Sequence, residues 1–116
     1  MGLDVTASDG NDEEFSFRAG SYSGYNLWRE QLAAIAGYTP QEAWDAKAVG
    51  KPFREMVDFS DCEGMLDTDT CAKLSADFAV FQEKADAHSS EYFREIYSKF
   101  RTAFEMAAVG GRVVYH

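Results

Sequence analysis

The chain has 116 residues, a formal net charge of −9, 46% apolar residues and 15% aromatic ones. That length builds one domain with a core that needs no disulfide or metal, and nine Phe, six Tyr and two Trp exclude a chain disordered throughout. An acidic balance of this size repels phosphate backbones and disfavours nucleic-acid binding; it suits solubility or docking onto a basic partner.

Residues 1–14 carry Asp9, Asp12, Glu13 and Glu14 and offer little to bury, so they are expected to form a flexible acidic tail ahead of a single globular domain over 15–116. Phe15-Ser16-Phe17-Arg18 alternates apolar and polar residues, a short strand. The turn Ala19–Gly24 follows, with Ser21 or Ser23 able to cap the next helix. In that helix Tyr25, Trp28, Leu32 and Ile35 share a face, and Gly37 closes it. Thr39-Pro40-Gln41-Glu42 is a capping box with proline at the first helical position. It opens a short helix that carries Ala43, Trp44 and Val49 and ends at Gly50. Pro52 permits another turn, with Phe53, Met56 and Val57 at helical spacing.

Residues 57–70 read as an acidic loop containing Asp58, Asp61, Glu63, Asp67 and Asp69, with a turn at Gly64. Asp67 or Thr68 is placed to cap the next helix. Two long helices are then predicted. One carries Cys71, Leu74, Phe78, Phe81 and Ala85; the other carries Phe93, Ile96, Phe100, Phe104 and Ala107. The break at Ala87–Ser90 makes them an antiparallel hairpin. Gly110-Gly111 stops the second, and Arg112–Tyr115 is a terminal strand. A lone strand cannot satisfy its own main chain, so Phe15–Arg18 is expected to pair with Arg112–Tyr115. The resulting fold class is mainly α, a small helical domain with a two-stranded ribbon made from its two ends.

No charged segment leads into an apolar one at the start, and no apolar run approaches a membrane span, so a cytoplasmic location with reduced thiols is expected. A disulfide between Cys62 and Cys71 stays geometrically open. The candidate ligand-binding residues are Ser21, Tyr22, Tyr25, Asn26 and Arg29 in the first block and Asp61 and Glu63 in the acidic loop. Exposed N–H groups at the helix start could take an anion, but neither a P-loop nor a dinucleotide fingerprint is present. Arg29 could clamp an anionic group, or pair with Asp61 or Glu63 and so tie the two segments together. The acidic loop fails the calcium-loop test, because Glu63 stands at the sixth position where glycine is required. Asp61 and Glu63 flank Cys62, and negative neighbours of this kind oppose nucleophilic use of a thiol. Two histidines, one of them terminal, argue against zinc. No catalytic residue, metal ligand or cofactor is assigned.

The blocks FRAGSYSGYNLWREQLAAIAGY and VDFSDCEGMLDTDTCAKLSADF, with the ending FRTAFEMAAVGGRVVYH, resemble a group of small hypothetical proteins of bacteria and prophages that share an AGSYSGYN-x-WR block and an FSDCEG block. The group has no assigned activity, so the resemblance transfers no site residue. It implies a bacterial or prophage origin and singles out Gly20–Arg29 and Ser60–Gly64. The expected function is a non-enzymatic accessory module that docks on another protein, with no nucleic-acid or membrane partner and with a homodimer left open. The alternative is a small-ligand-binding protein or enzyme with its pocket between Gly20–Arg29 and Ser60–Gly64. An acidic mimic of DNA is a weaker third reading.

Overall fold

The computed structural model describes residues 2–45, 47 and 49–116. Ten elements follow in order: β1 Leu3–Ser8, β2 Glu14–Gly20, α1 Tyr22–Ile35, α2 Pro40–Ala43, α3 Arg54–Val57, β3 Gly64–Leu66, α4 Thr68–Val80, α5 Gln82–Asp86, α6 Glu91–Ala107 and β4 Arg112–Tyr115. The four strands form one antiparallel sheet in the order β2-β1-β4-β3. With 51% helix and 18% strand this is an α+β fold, not a mainly α one with a ribbon.

Two expectations fail for one reason. The segment read as a flexible tail holds β1, whose Leu3, Val5 and Ala7 alternate with polar residues and are fully buried. Three inward side chains suffice for a half-buried strand. The acidic turn after Ser8 masked them in the sequence. Because β1 lies between β2 and β4, the expected pairing of Phe15–Arg18 with Arg112–Tyr115 does not form; each pairs with β1 instead. The loop over 57–70 also contains a strand, β3, which pairs with β4.

The caps follow the short-range rules. Ser21 accepts from the Gly24 N–H, Thr39 from Glu42, Asp67 from Thr70 and Ser90 from Phe93. The stretch read as continuing α2 to Gly50 includes residues 46 and 48, which lie outside the described residues. The first of the two predicted long helices is interrupted at Phe81, which closes α4 and opens α5. The hairpin itself is antiparallel. Thr68 at the start of α4 bonds the Gly111 carbonyl beyond α6, and Gln82 at the start of α5 bonds Arg101 within it. His88 lies between α5 and α6. Its ring stacks on Phe93 at 4.1 Å, and its Nδ1 accepts from the Ser90 N–H.

The helices cover one face of the sheet. α6 turns Phe93, Ile96, Tyr97, Phe100 and Phe104 inward. Phe100 stacks on Trp28 at 5.0 Å and meets the Phe17 ring edge-on at 5.0 Å. The Trp28 indole N–H donates to the Phe93 carbonyl at 3.2 Å. The other face of the sheet carries Asp4, Thr6, Ser16, Arg18 and Arg112, all exposed or half-exposed. There Arg18 binds Asp4 through two bonds of 2.7 and 3.1 Å, and the hydrogen-bonded guanidinium holds the Asp4 carboxyl below its usual range.

Since β1 supplies main-chain partners to both of its neighbours, removing residues 1–9 should abolish cooperative thermal unfolding followed by circular dichroism. Loss of a disordered tail would leave the melt unchanged.

Candidate functional site

The two segments singled out by sequence do meet. Asn26, on α1, donates from Nδ2 to Asp61 Oδ2 at 2.7 Å. Three residues on, one turn further along the same face, Arg29 donates to the Met56 carbonyl at 3.1 Å, to the Phe59 carbonyl and to the Asn26 side-chain oxygen. The expected Arg29 pair with Asp61 or Glu63 is therefore replaced by a relay in which Asn26 joins the guanidinium to Asp61. The Met56 carbonyl also accepts the Phe59 N–H at 3.2 Å, and the Phe59 carbonyl lies just past α3, where no further helical turn supplies donors; a forked cation serves both at a half-buried site.

The Ser60–Gly64 segment folds around its own hydroxyl. Ser60 Oγ accepts from the Cys62 and Glu63 N–H groups at 3.2 Å each, a serine turn. Gly64 has φ +127, and a Cβ there would come within 2.5 Å of the Phe59 ring. Glycine is required on both counts. Phe59 in turn meets the Tyr115 ring edge-on at 5.1 Å. The FSDCEG block thus has a structural account: a ring that fills a gap, a hydroxyl that makes the turn, a carboxylate that receives Asn26 and a glycine that leaves room.

The remaining candidates separate. Ser21 is occupied as the cap of α1, and Tyr22 packs half-buried against the core. Tyr25 is fully buried, with its hydroxyl 2.6 Å from that of Tyr115. Burial pushes both phenols above their ordinary pKa, so both stay protonated across the physiological range. The Arg29 guanidinium lies 4.9 Å over the Tyr25 ring. Glu63 is exposed and stands outside the relay.

Beside the relay is a hollow of about 390 Å³ between α1, α2 and the end of α3, walled by Asn26, Arg29, Glu30, Trp44, Asp58 and Phe59. Sequence reasoning missed Trp44, Asp58 and Phe59. The available signal was Trp44 itself, four residues beyond Pro40 at the end of a short capped helix. A larger hollow, about 650 Å³, lies at the turn end of the sheet, where Asp9, Asp12, Glu14, Asp67 and Arg112 are among its walls. It contains none of the expected site residues.

Among the described residues no group of three or more His, Cys, Asp or Glu is placed to hold a metal ion. Both cysteines are free, Cys62 exposed and Cys71 buried, with burial pushing the Cys71 thiol up to about 12. No helix among the described residues is long and apolar enough to cross a membrane. No protein-family model matches the chain, and neither a curated protein nor a solved structure is significantly similar to it.

A double-mutant cycle on Asn26→Ala and Asp61→Ala should show that the two act as one contact. Asp61→Ala should cost about 1 kcal/mol of unfolding free energy, Asn26→Ala more because it also loses the Arg29 bond, and the pair little more than Asn26→Ala alone. In a thiol titration with an alkylating reagent at neutral pH, Cys62 should react at once and Cys71 only at the rate of unfolding.

Proposed function

We propose that this chain is a non-enzymatic accessory module of bacterial or prophage origin that works in the cytoplasm and docks on another protein, using the hollow beside Trp44. The observation that carries this reading is the exposure of Trp44, 62%, at the wall of a concavity. An indole left in water at a concave site forgoes burial of one of the largest apolar surfaces a side chain has, and such residues are the usual anchors of protein interfaces. The residues best suited to bind a small molecule support the same reading from the other side. Ser21, Tyr25, Asn26, Arg29 and Asp61 all commit polar groups to hydrogen bonds within the chain. The net charge of −9, with Glu30 and Asp58 at the hollow, favours a basic partner surface and disfavours nucleic acid and anionic membranes.

A small-ligand site is kept as a second reading because a hollow of about 390 Å³ has the volume of a small-molecule pocket. A ligand there would face Asn26 and Arg29 from the α2 side, not from the Ser60–Gly64 loop.

The two tryptophans make the test direct, since Trp28 is buried and Trp44 exposed. Trp44→Ala should change the unfolding free energy by less than about 0.5 kcal/mol, remove the red-edge fluorescence quenched by iodide, and abolish salt-sensitive capture of a specific protein from bacterial lysate. Equal capture by wild type and variant would refute docking through Trp44. A metabolite that raises the melting temperature of the wild type would move the conclusion to the second reading.

A further inference from the structure

Strand β2 is an outer strand of the sheet, and the bonds around it fix where its main-chain groups point. Asp4 and His116 exchange both of their main-chain hydrogen bonds, at 2.9 Å each. By the two-residue period of an antiparallel ladder, Asp4, Thr6 and Ser8 address β4, while Val5 and Ala7 address β2. The bond from the Asp9 N–H to the Glu13 carbonyl, 3.1 Å, has the same phase. Val5 stands opposite Phe17, and Ala7 opposite Phe15. Phe15 and Phe17 therefore use their groups on β1. Glu14, Ser16 and Arg18 direct their N–H and C=O groups off the edge, where they meet no main-chain partner among the described residues.

That edge complements itself. An antiparallel copy of β2, related by a two-fold axis at Ser16, sets Ser16 against Ser16, Glu14 against Arg18 and Phe15 against Phe17. The facing pairs that must exchange hydrogen bonds are the ones with outward groups, so the phase is correct. Moving the axis to Phe15 or Phe17 keeps the phase but sets Glu14 or Arg18 opposite Ser16 instead of a counter-charge. Arg18 already holds Asp4 on its inner side and has a side chain 58% exposed, so it can accept a second carboxylate. Phe15 is half-buried at this edge, its ring 5.5 Å from that of Phe17. β2 contains neither proline nor lysine, two common guards of a free edge. Its register shift lies at the Leu3/Asp4 end, beyond the paired span.

We infer that β2 is a homodimerisation edge: two copies pair their β2 strands about Ser16 and merge two four-stranded sheets into one continuous sheet. Strand addition of this kind draws affinity from main-chain bonds and register from the side chains. The occupant is a second copy because the charge pattern is its own complement. The edge shares no residue with the hollow at Trp44, so dimerisation and docking stand or fall separately.

Sedimentation velocity on the full chain over a concentration series tests this, with far-ultraviolet circular dichroism as the fold control. The wild type should dimerise. Ser16→Pro removes an N–H that no bond among the described residues uses; it should keep the spectrum and weaken association at least about tenfold. Glu14→Arg and Arg18→Glu should each weaken self-association by roughly tenfold, through like charges facing each other across the axis. An equimolar mixture of these two should recover a dimer. A wild type that stays monomeric up to about 1 mM overturns the inference, as does a dimer that all three variants leave intact. Should Ser16→Pro unfold the chain, Glu14→Arg alone still decides, because Glu14 is exposed and its side chain has no ion-pair partner among the described residues.

Discussion

A closed circuit of four side chains holds the helical layer, the last strand and the irregular loop in one geometry. Arg29 binds the Phe59 carbonyl and lies over Tyr25; Tyr25 shares a hydrogen bond with Tyr115; the Tyr115 ring meets Phe59. Each link constrains the next. The two phenols are fully buried, so their hydroxyls must find each other or remain unsatisfied at a cost of roughly 1–3 kcal/mol apiece. They meet only if α1 holds Tyr25 at the height of Tyr115 at the end of β4. That placement sets Arg29 over the α3 terminus, and the guanidinium then fixes the main chain at Phe59. The low dielectric that makes the hydroxyl pair obligatory also strengthens it once formed.

The second constraint is topological. β4, the last strand, needs β1, the first, on one side and β3 on the other. A sheet whose central pair joins the two ends of the chain closes its longest loop before its core can exclude water, and this kind of contact slows folding. The helices between them form from local signals: the caps at Ser21, Thr39, Asp67 and Ser90 and the aromatic stripe of α6. The division explains why α6 carries so much of the core. Its Phe93, Phe100 and Phe104 are the surface on which strands distant in sequence assemble.

Those physical differences also set what could be read from the sequence. Local rules found the caps at Ser21, Thr39 and Asp67, each alone or as one of two neighbours, the stripe of α1 and the antiparallel run of α4 against α6, because a cap or a 3.6-residue period is complete within one segment. β1 was lost because three alternating side chains preceding an acidic turn carry a weak signal, and its real warrant lies at the far end of the chain. β3 is three residues long and has no period to detect. For the site, the contact between Gly20–Arg29 and Ser60–Gly64 was foreseen but its chemistry was not. Opposite charge suggested Arg29 with Asp61. The main-chain carbonyls of Met56 and Phe59, invisible in a list of side chains, took the guanidinium instead, and Asn26 bridged the gap. Trp44 escaped notice because exposure is a tertiary property.

The inward engagement of the relay residues changes where function can reside. A side chain that completes the bonding of a turn or helix end cannot release those bonds to hold a ligand without loosening the fold that positions it. Asn26 and Arg29 therefore serve as the frame of the hollow, with Asp61 behind Asn26, more than as its binding groups. Among what the described residues leave unused are an indole at the hollow and the outer edge of β2, whose main-chain groups point outward. Both are surfaces whose bonding another molecule can complete without cost to the interior. The charge of −9 acts on both, because it keeps the apolar portions in solution and repels most accidental neighbours. Against that background a self-complementary pair of opposite charges on β2, or a basic surface facing Trp44, is favoured relative to indiscriminate association, since selectivity comes from repulsion of the wrong partner as much as from attraction of the right one.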